Sequence, residues 1–287
     1  MRRVRRDSPE RELLFGYPLN ELVPLVLMIV GSGLITGLLA GLLGIGGASV
    51  TVPALYELFR FIGVPEEVRM QLCIGTSLAI IVPISIRSFA AHRKRSVVLY
   101  DVLKAWAVPV LLGVISGAAI AYYAPAGLFR LVFMIFCYAV GLKYLVGRDL
   151  EISDRLPGRP ALIGIGYFIG LISSLIGVAG GSLSTLFLTL YGETIHIAIA
   201  TSSGLGVLIS IPGTIGYIIA GWSQHALLPP FSIGYVSLLG LLLFAPASVL
   251  AAPYGAKLAH KMSRRNLEMA FGLFLILVAT RFLISLL

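Results

Sequence analysis

Two stretches of this chain are too long for one membrane crossing and too short for two comfortable ones. Leu22 to Tyr56 and Pro160 to Gly192 contain no Asp, Glu, Lys or Arg, and inclusive counting gives 56 − 22 + 1 = 35 and 192 − 160 + 1 = 33 residues. A helix rises about 1.5 Å per residue, so roughly 20 residues cross a hydrocarbon core about 30 Å thick. Each run carries a glycine cluster near its middle, Gly44-Ile45-Gly46-Gly47-Ala48-Ser49 and Gly177-Val178-Ala179-Gly180-Gly181-Ser182. Glycine costs a helix about 1 kcal/mol relative to alanine, so each run should break there. Unwound backbone at membrane depth survives only inside protein or beside a water-filled cavity. Both clusters therefore read as helix breaks lining a transport site.

The rest of the composition agrees. The 287 residues are 58% hydrophobic and 12% charged, with a mean hydropathy of +0.96. That excludes a soluble or disordered chain and predicts an all-α polytopic membrane protein of about eight to ten segments, placed in the cell membrane. There is no room for a soluble enzyme domain, and the Arg-rich start lacks a secretory cleavage pattern. The net charge of +9 comes mostly from residues at helix ends, which fits positive-inside topology better than a nucleic-acid partner. Cys73 and Cys137 fall in apolar segments and read as packing residues, with no metal or cofactor implied.

The second half repeats the first. Ile35 to Gly44 aligns with Phe168 to Gly177 at 170 − 37 = 133, which also sets Gly47 on Gly180 and Ser49 on Ser182. Thr76-Ser77 aligns with Thr201-Ser202 at 201 − 76 = 125, and Gly117 with Gly255 at 255 − 117 = 138. Three blocks in one order imply duplication: an Arg-rich tail over 1–20, a first repeat over 21–147, a linker over 148–159 and a second repeat over 160–287. Each repeat should hold a broken helix pair and three further helices. The basic loops His92 to Arg95 and Lys257 to Arg265 can both face the cytoplasm only if the repeats are inverted, with Trp222 to Pro230 outside. This arrangement puts the arginine-rich tail outside, against the charge rule.

The chemistry on offer is anion binding. Ser49 follows Gly46-Gly47 at a helix start, and Ser182 follows Gly180-Gly181 in the same way. Free amides, a hydroxyl and the positive end of a helix dipole favour negative charge. The alternative is that small residues only permit close packing, and for the ladder Gly33-x-x-x-Gly37-x-x-x-Gly41 packing is the better reading. Thr76, Ser77, Thr201 and Ser202 offer hydroxyls in mid-helix, either to a pathway or back to their own backbone. Ser49, Ser182, Thr76 and Thr201 are expected to line one central cavity. Arg87 stands alone on an apolar helix and either meets substrate or snorkels to the interface; its repeat counterpart is Pro212. Lys143 and Arg281 read as interfacial anchors, and His196 as a capping residue or a proton site.

Glycines 37, 41, 44, 46 and 47 with Ser49 and Pro53, the segment Gly75 to Pro83, and Ala200-Thr201-Ser202 leading to Gly216-Tyr217 and Gly221-Trp222 carry a resemblance. The chain resembles the sulfite exporter TauE/SafE family of membrane permeases, from about Pro24 onward. The resemblance implies a two-repeat permease for sulfite, sulfonates or related sulfur-containing anions, often acting in export. Arg87 and the long Arg-rich tail depart from the pattern. The expectation is a secondary transporter working by alternating access in the bilayer, with a small anion as substrate and a proton as candidate coupling ion. A passive anion channel is one alternative. An intramembrane serine hydrolase built on Ser49 with His92, His196 or His225 is another. The duplicated Gly-Ser element and the missing carboxylate cluster speak against a hydrolase.

Overall fold

Apolar runs become helices, and two of them end on a glycine in the left-handed conformation. The computed structural model describes residues 13–286 apart from 15–16, 44–47, 96–97, 148–152, 154–155, 179 and 260–262. The first half carries α1 (Leu19–Leu43), α2 (Ala48–Phe61), α3 (Glu66–Arg95), α4 (Tyr100–Tyr123) and α5 (Ala126–Val146). The second carries α6 (Arg159–Ile176), α7 (Gly181–Leu190), α8 (Ile195–Ala220), α9 (Ala245–Ala259) and α10 (Arg264–Ile284). Gly147 closes α5 in the left-handed conformation and returns its N–H to Lys143 O. Gly177 closes α6 in the same way, onto Ser173 O. Between α8 and α9, Ser232–Ile233 pairs with Val236–Ser237, and a π-helical turn over Gly240–Phe244 leads into α9.

The protein is an all-α polytopic membrane protein. Among the described residues six helices are long and apolar enough to cross a bilayer, and Val26–Leu39, Gly181–Leu190 and Gly240–Gly255 are shorter apolar stretches. Both ends of the bundle are marked by arginines. At one, Arg130 at the start of α5 meets Glu66 at the start of α3 and donates to Ser285 O after α10 at 2.8 Å. At the other, Arg265 at the start of α10 donates to Tyr144 O and Leu145 O at the end of α5, at 3.1 and 2.6 Å. Helices α5 and α10 are therefore antiparallel. So are α3 and α8, because Gly75 packs on Tyr217 and Gly204 on Phe89. Helix α3 finishes at the Arg265 end, where α9 ends and α10 begins.

The halves exchange partners. Helix α1 packs lengthwise on α9 and α6 on α4. A methyl on Gly33 would sit 2.7 Å from Phe244 O, and one on Gly166 2.7 Å from the Trp106 ring. Gly37 packs on the Ser248 backbone and Gly170 on the Val110 backbone. These are one set of contacts: 166 − 33 = 133 and 170 − 37 = 133, while 244 − 106 = 138 and 248 − 110 = 138. The glycine ladder thus lets backbones touch, the packing role read from its spacing of four. Trp106 is fully buried there, its Nε1 donating to Leu162 O at 2.8 Å.

Candidate functional site

The second glycine cluster is a sharp reversal. Gly177 N and Val178 N both turn back to Ser173 O, and Gly180 N donates to Val178 O at 2.7 Å. Gly180 has φ 68°, and a side chain there would strike Ile209 Cδ1, so glycine is required twice over. Helix α7 then runs back along α8. Ten residues span about 15 Å, so α7 does not cross a bilayer and α6–α7 is a hairpin. Among the described residues no side chain caps α7, and a methyl on Gly181 would meet no heavy atom within 4 Å. The amides of Gly181, Ser182 and Leu183 precede the helical ladder, which opens with Ser184 N on Gly180 O. Ser182 beside Gly181 is half-buried. Gly44, Ile45, Gly46 and Gly47 lie outside the described residues; Ser49 begins α2 as a buried hydroxyl, 2% exposed.

The Thr-Ser pairs make contacts between the halves. Thr76 Oγ1 accepts from Ser237 N at 3.0 Å, and Thr201 Oγ1 accepts from Leu99 N at 3.0 Å. Leu99 is the N-cap of α4 and Ser237 lies just before the turn into α9, and 237 − 99 = 138. Each threonine therefore caps the chain entering the fourth helix of the other half. Ser77 Oγ donates to Gly177 O at 2.8 Å, which ties α3 to the hairpin of the other half. Ser202 Oγ accepts from Thr185 at 3.0 Å and lies 2.8 Å from Ser184 Oγ.

The four hydroxyls expected round one cavity are not gathered there. Thr76 sits beside Ser237 toward the Glu66 end. Thr201 sits three residues before Gly204, which packs on Phe89, and Phe89 is 89 − 76 = 13 residues past Thr76, about 20 Å along α3. Gly180, by contrast, packs on Ile209 where α3 and α8 cross. Arg87 is exposed on α3 toward the Arg265 end. His196 is exposed at the start of α8, and Arg281 pairs with Glu57 at 3.2 Å.

Two residues at the crossing escaped the sequence reading. Ser85 Oγ and Ser210 Oγ lie 3.3 Å apart, both buried. Their separation is 210 − 85 = 125, the offset of the Thr-Ser pairs, so carrying that alignment nine residues past Thr76 would have found them. Ser173 is fully buried beside Gly180, and its Oγ has no partner among the described residues. Its counterpart at an offset of 133 is Ala40, so no repeat signal marked it.

Residues 29–282 match the family described as Sulfite exporter TauE/SafE. A probable membrane transporter protein of Haemophilus influenzae is 33% identical over 256 residues, covering 88% of this chain and 96% of its own. The probable membrane transporter protein MJ0441 of Methanocaldococcus jannaschii is 28% identical over 271 residues, covering 89% and 96%. The probable membrane transporter protein YfcA of Escherichia coli K12 is 28% identical over 226 residues, covering 76% and 77%. No solved structure matches the chain.

Proposed function

The chain belongs to the sulfite exporter TauE/SafE family, and from that premise we propose that it is a secondary carrier exporting sulfite, an organosulfonate or a related small sulfur-containing anion across the cell membrane. It works by alternating access between two inverted repeats, 21–147 and 160–287, joined by the 148–159 linker. The observation that carries this reading is the antiparallel pairing of two helices with their own counterparts, α3 with α8 and α5 with α10. A two-fold axis in the membrane plane reverses a helix, whereas an axis along the normal leaves it parallel. The basic Arg265 end then faces the cytoplasm.

The anion is held where α7 begins, by the amides of Gly181, Ser182 and Leu183 and the Ser182 hydroxyl. Gly46, Gly47 and Ser49 supply the matching element of the first repeat. Thr76, Ser77, Thr201 and Ser202 fix the helices that frame this centre. Amides and hydroxyls carry partial positive charge, which replaces part of an anion's hydration and still releases it, as a fixed cation at the centre would not.

The test is flux into proteoliposomes with sulfite, sulfate, thiosulfate and methanesulfonate, with and without an imposed proton gradient. Saturable uptake of sulfite or methanesulfonate with counterflow is expected. Flux without counterflow identifies a passive channel, and absence of flux for every sulfur anion removes the substrate class.

A further inference from the structure

Contacts made in both repeats belong to the frame of the molecule, and a contact made in one repeat alone marks what moves. The threonine caps are made twice, Leu99 N on Thr201 and Ser237 N on Thr76. Beyond those caps the symmetry fails. Helix α4 continues against α8, with Leu103 beside Gly204, Val114 beside Gly213 and Ala118 beside Gly216. The equivalent helices are α9 and α3, and among the described residues they do not pack along each other. The equivalent of Val114 is Ala252 (114 + 138) and that of Gly213 is Ser88 (213 − 125). Val114 and Gly213 are buried, whereas Ala252 and Ser88 are half-buried. Ile209 is 0% exposed, and its equivalent Ile84 (209 − 125) is 45% exposed.

The backbone shows where the difference arises. Helix α9 is entered through the π-helical turn Gly240–Phe244, and the equivalent residues of α4, 102–106, are ordinary α-helix. A π-turn rotates the helix beyond it and recurs at functional sites. Helix α9 starts at the Thr76 cap and diverges from α3 toward the Arg265 end. On α3, Arg87 and Ser88 lie three and four residues past Ile84, hence on one face, with Ile84 and Arg87 exposed and Ser88 half-buried.

We infer that the structure is caught open at its basic end, with the crevice between α3 and α9 as the anion entrance and the α4–α8 seam as its closed equivalent. The inference rests on the inverted-repeat carrier reading above. In the opposite state α9 closes on α3, bringing Ala252 to Ser88, while α4 leaves α8 and parts Val114 from Gly213. Arg87 is then an attracting residue of one entrance only, because Pro212 occupies its place in the other. A full positive charge there raises the local anion concentration, and standing beside the centre instead of in it leaves release unhindered.

The test is disulfide trapping in the full-length protein with Cys73 and Cys137 replaced by alanine. Val114→Cys with Gly213→Cys is expected to cross-link readily in the resting protein, and Ser88→Cys with Ala252→Cys only during methanesulfonate exchange. In a variant carrying all four cysteines the two bonds should exclude one another. Both bonds forming in one molecule, or the Ser88–Ala252 bond forming first at rest, overturns the gate assignment. Single cysteines provide a second readout that strains no seam. An impermeant thiol reagent at the basic end should modify Ile84→Cys at least tenfold faster than Ile209→Cys, and equal rates overturn the assignment. Arg87→Ala should raise the half-saturating methanesulfonate concentration severalfold from the basic side and leave the other side unchanged; equal effects on both sides remove Arg87 from the entrance. Mutually exclusive bonds in a protein that moves no sulfur anion would leave the gates standing and remove the substrate reading.

Discussion

Replacing Thr76 by valine removes one hydroxyl and leaves a side chain of nearly the same shape. The bond lost is the 3.0 Å contact from Ser237 N, and both residues are buried, at 0% and 3% exposure. No water reaches the orphaned amide, so the cost is that of a buried unsatisfied donor, about 1–3 kcal/mol. Thr201→Val removes the equivalent bond from Leu99 N, but Leu99 is only partly buried and water can replace the hydroxyl. Its cost should sit at the low end, about 0.5–1.5 kcal/mol. At about 2 °C per kcal/mol for a chain of this size, Thr76→Val lowers the melting temperature by about 2–6 °C and Thr201→Val by less. The caps lie about 20 Å apart, so the double variant should show the sum. Purified protein heated with a thiol-reactive dye reports unfolding as buried Cys73 and Cys137 become reactive. Thr76→Ser keeps the acceptor and serves as control. The reasoning fails if Thr76→Val melts no lower than Thr76→Ser, or if Thr201→Val proves the more damaging of the pair.

Gly170→Leu, forced against the Val110 backbone, should abolish recovery of folded protein, while Gly164→Leu, with no heavy atom within 4 Å of an added methyl, should be recovered normally; gel filtration in detergent decides. Gly180→Val, strained at φ 68° and blocked by Ile209, should lose transport by at least tenfold while remaining extractable, as measured by sulfite flux per folded molecule. Arg130→Met should destabilise the Glu66 end by about 1–2 kcal/mol, chiefly because Ser285 O loses its donor, while Glu66, more than half exposed, is rehydrated; a fall in melting temperature that Glu66→Gln reproduces only in small part is the expected result.

Much of the architecture was legible because duplication leaves arithmetic in the chain. Offsets of 133 and 138, taken from short glycine matches, also carry Gly33–Phe244 onto Gly166–Trp106 across two unrelated side chains. What could not be read was partnership between the halves. Thr76 and Thr201 present the same letters whether they bond their own backbone, meet a ligand or cap a distant helix start. Nothing local distinguishes the three, because the amides of Ser237 and Leu99 arrive from 161 and 102 residues away. The expectation of one cavity assumed that equivalent residues converge. Residues equivalent by one offset need not meet: Ser85 and Ser210 do, at 3.3 Å, and the threonines do not. The lone hydroxyl of Ser173 was invisible for a simpler reason: only the first repeat's Ala40 stands opposite it.

The exchange of partners between halves also sets the order of events during synthesis. Gly37 finds its seat on Ser248, 248 − 37 = 211 residues later in the chain. At about 5–20 residues per second, α1 waits about 10–40 s after its own synthesis before α9 exists. Throughout that interval a small-residue face with no driving force of its own stands in lipid or against the insertion machinery. Helix α6 waits for nothing, since α4 is already made when it emerges. Assembly of the second half therefore has to precede completion of the first, and a nascent chain stopped before residue 240 should hold its later-made hairpin in place while its earliest helix is still unseated.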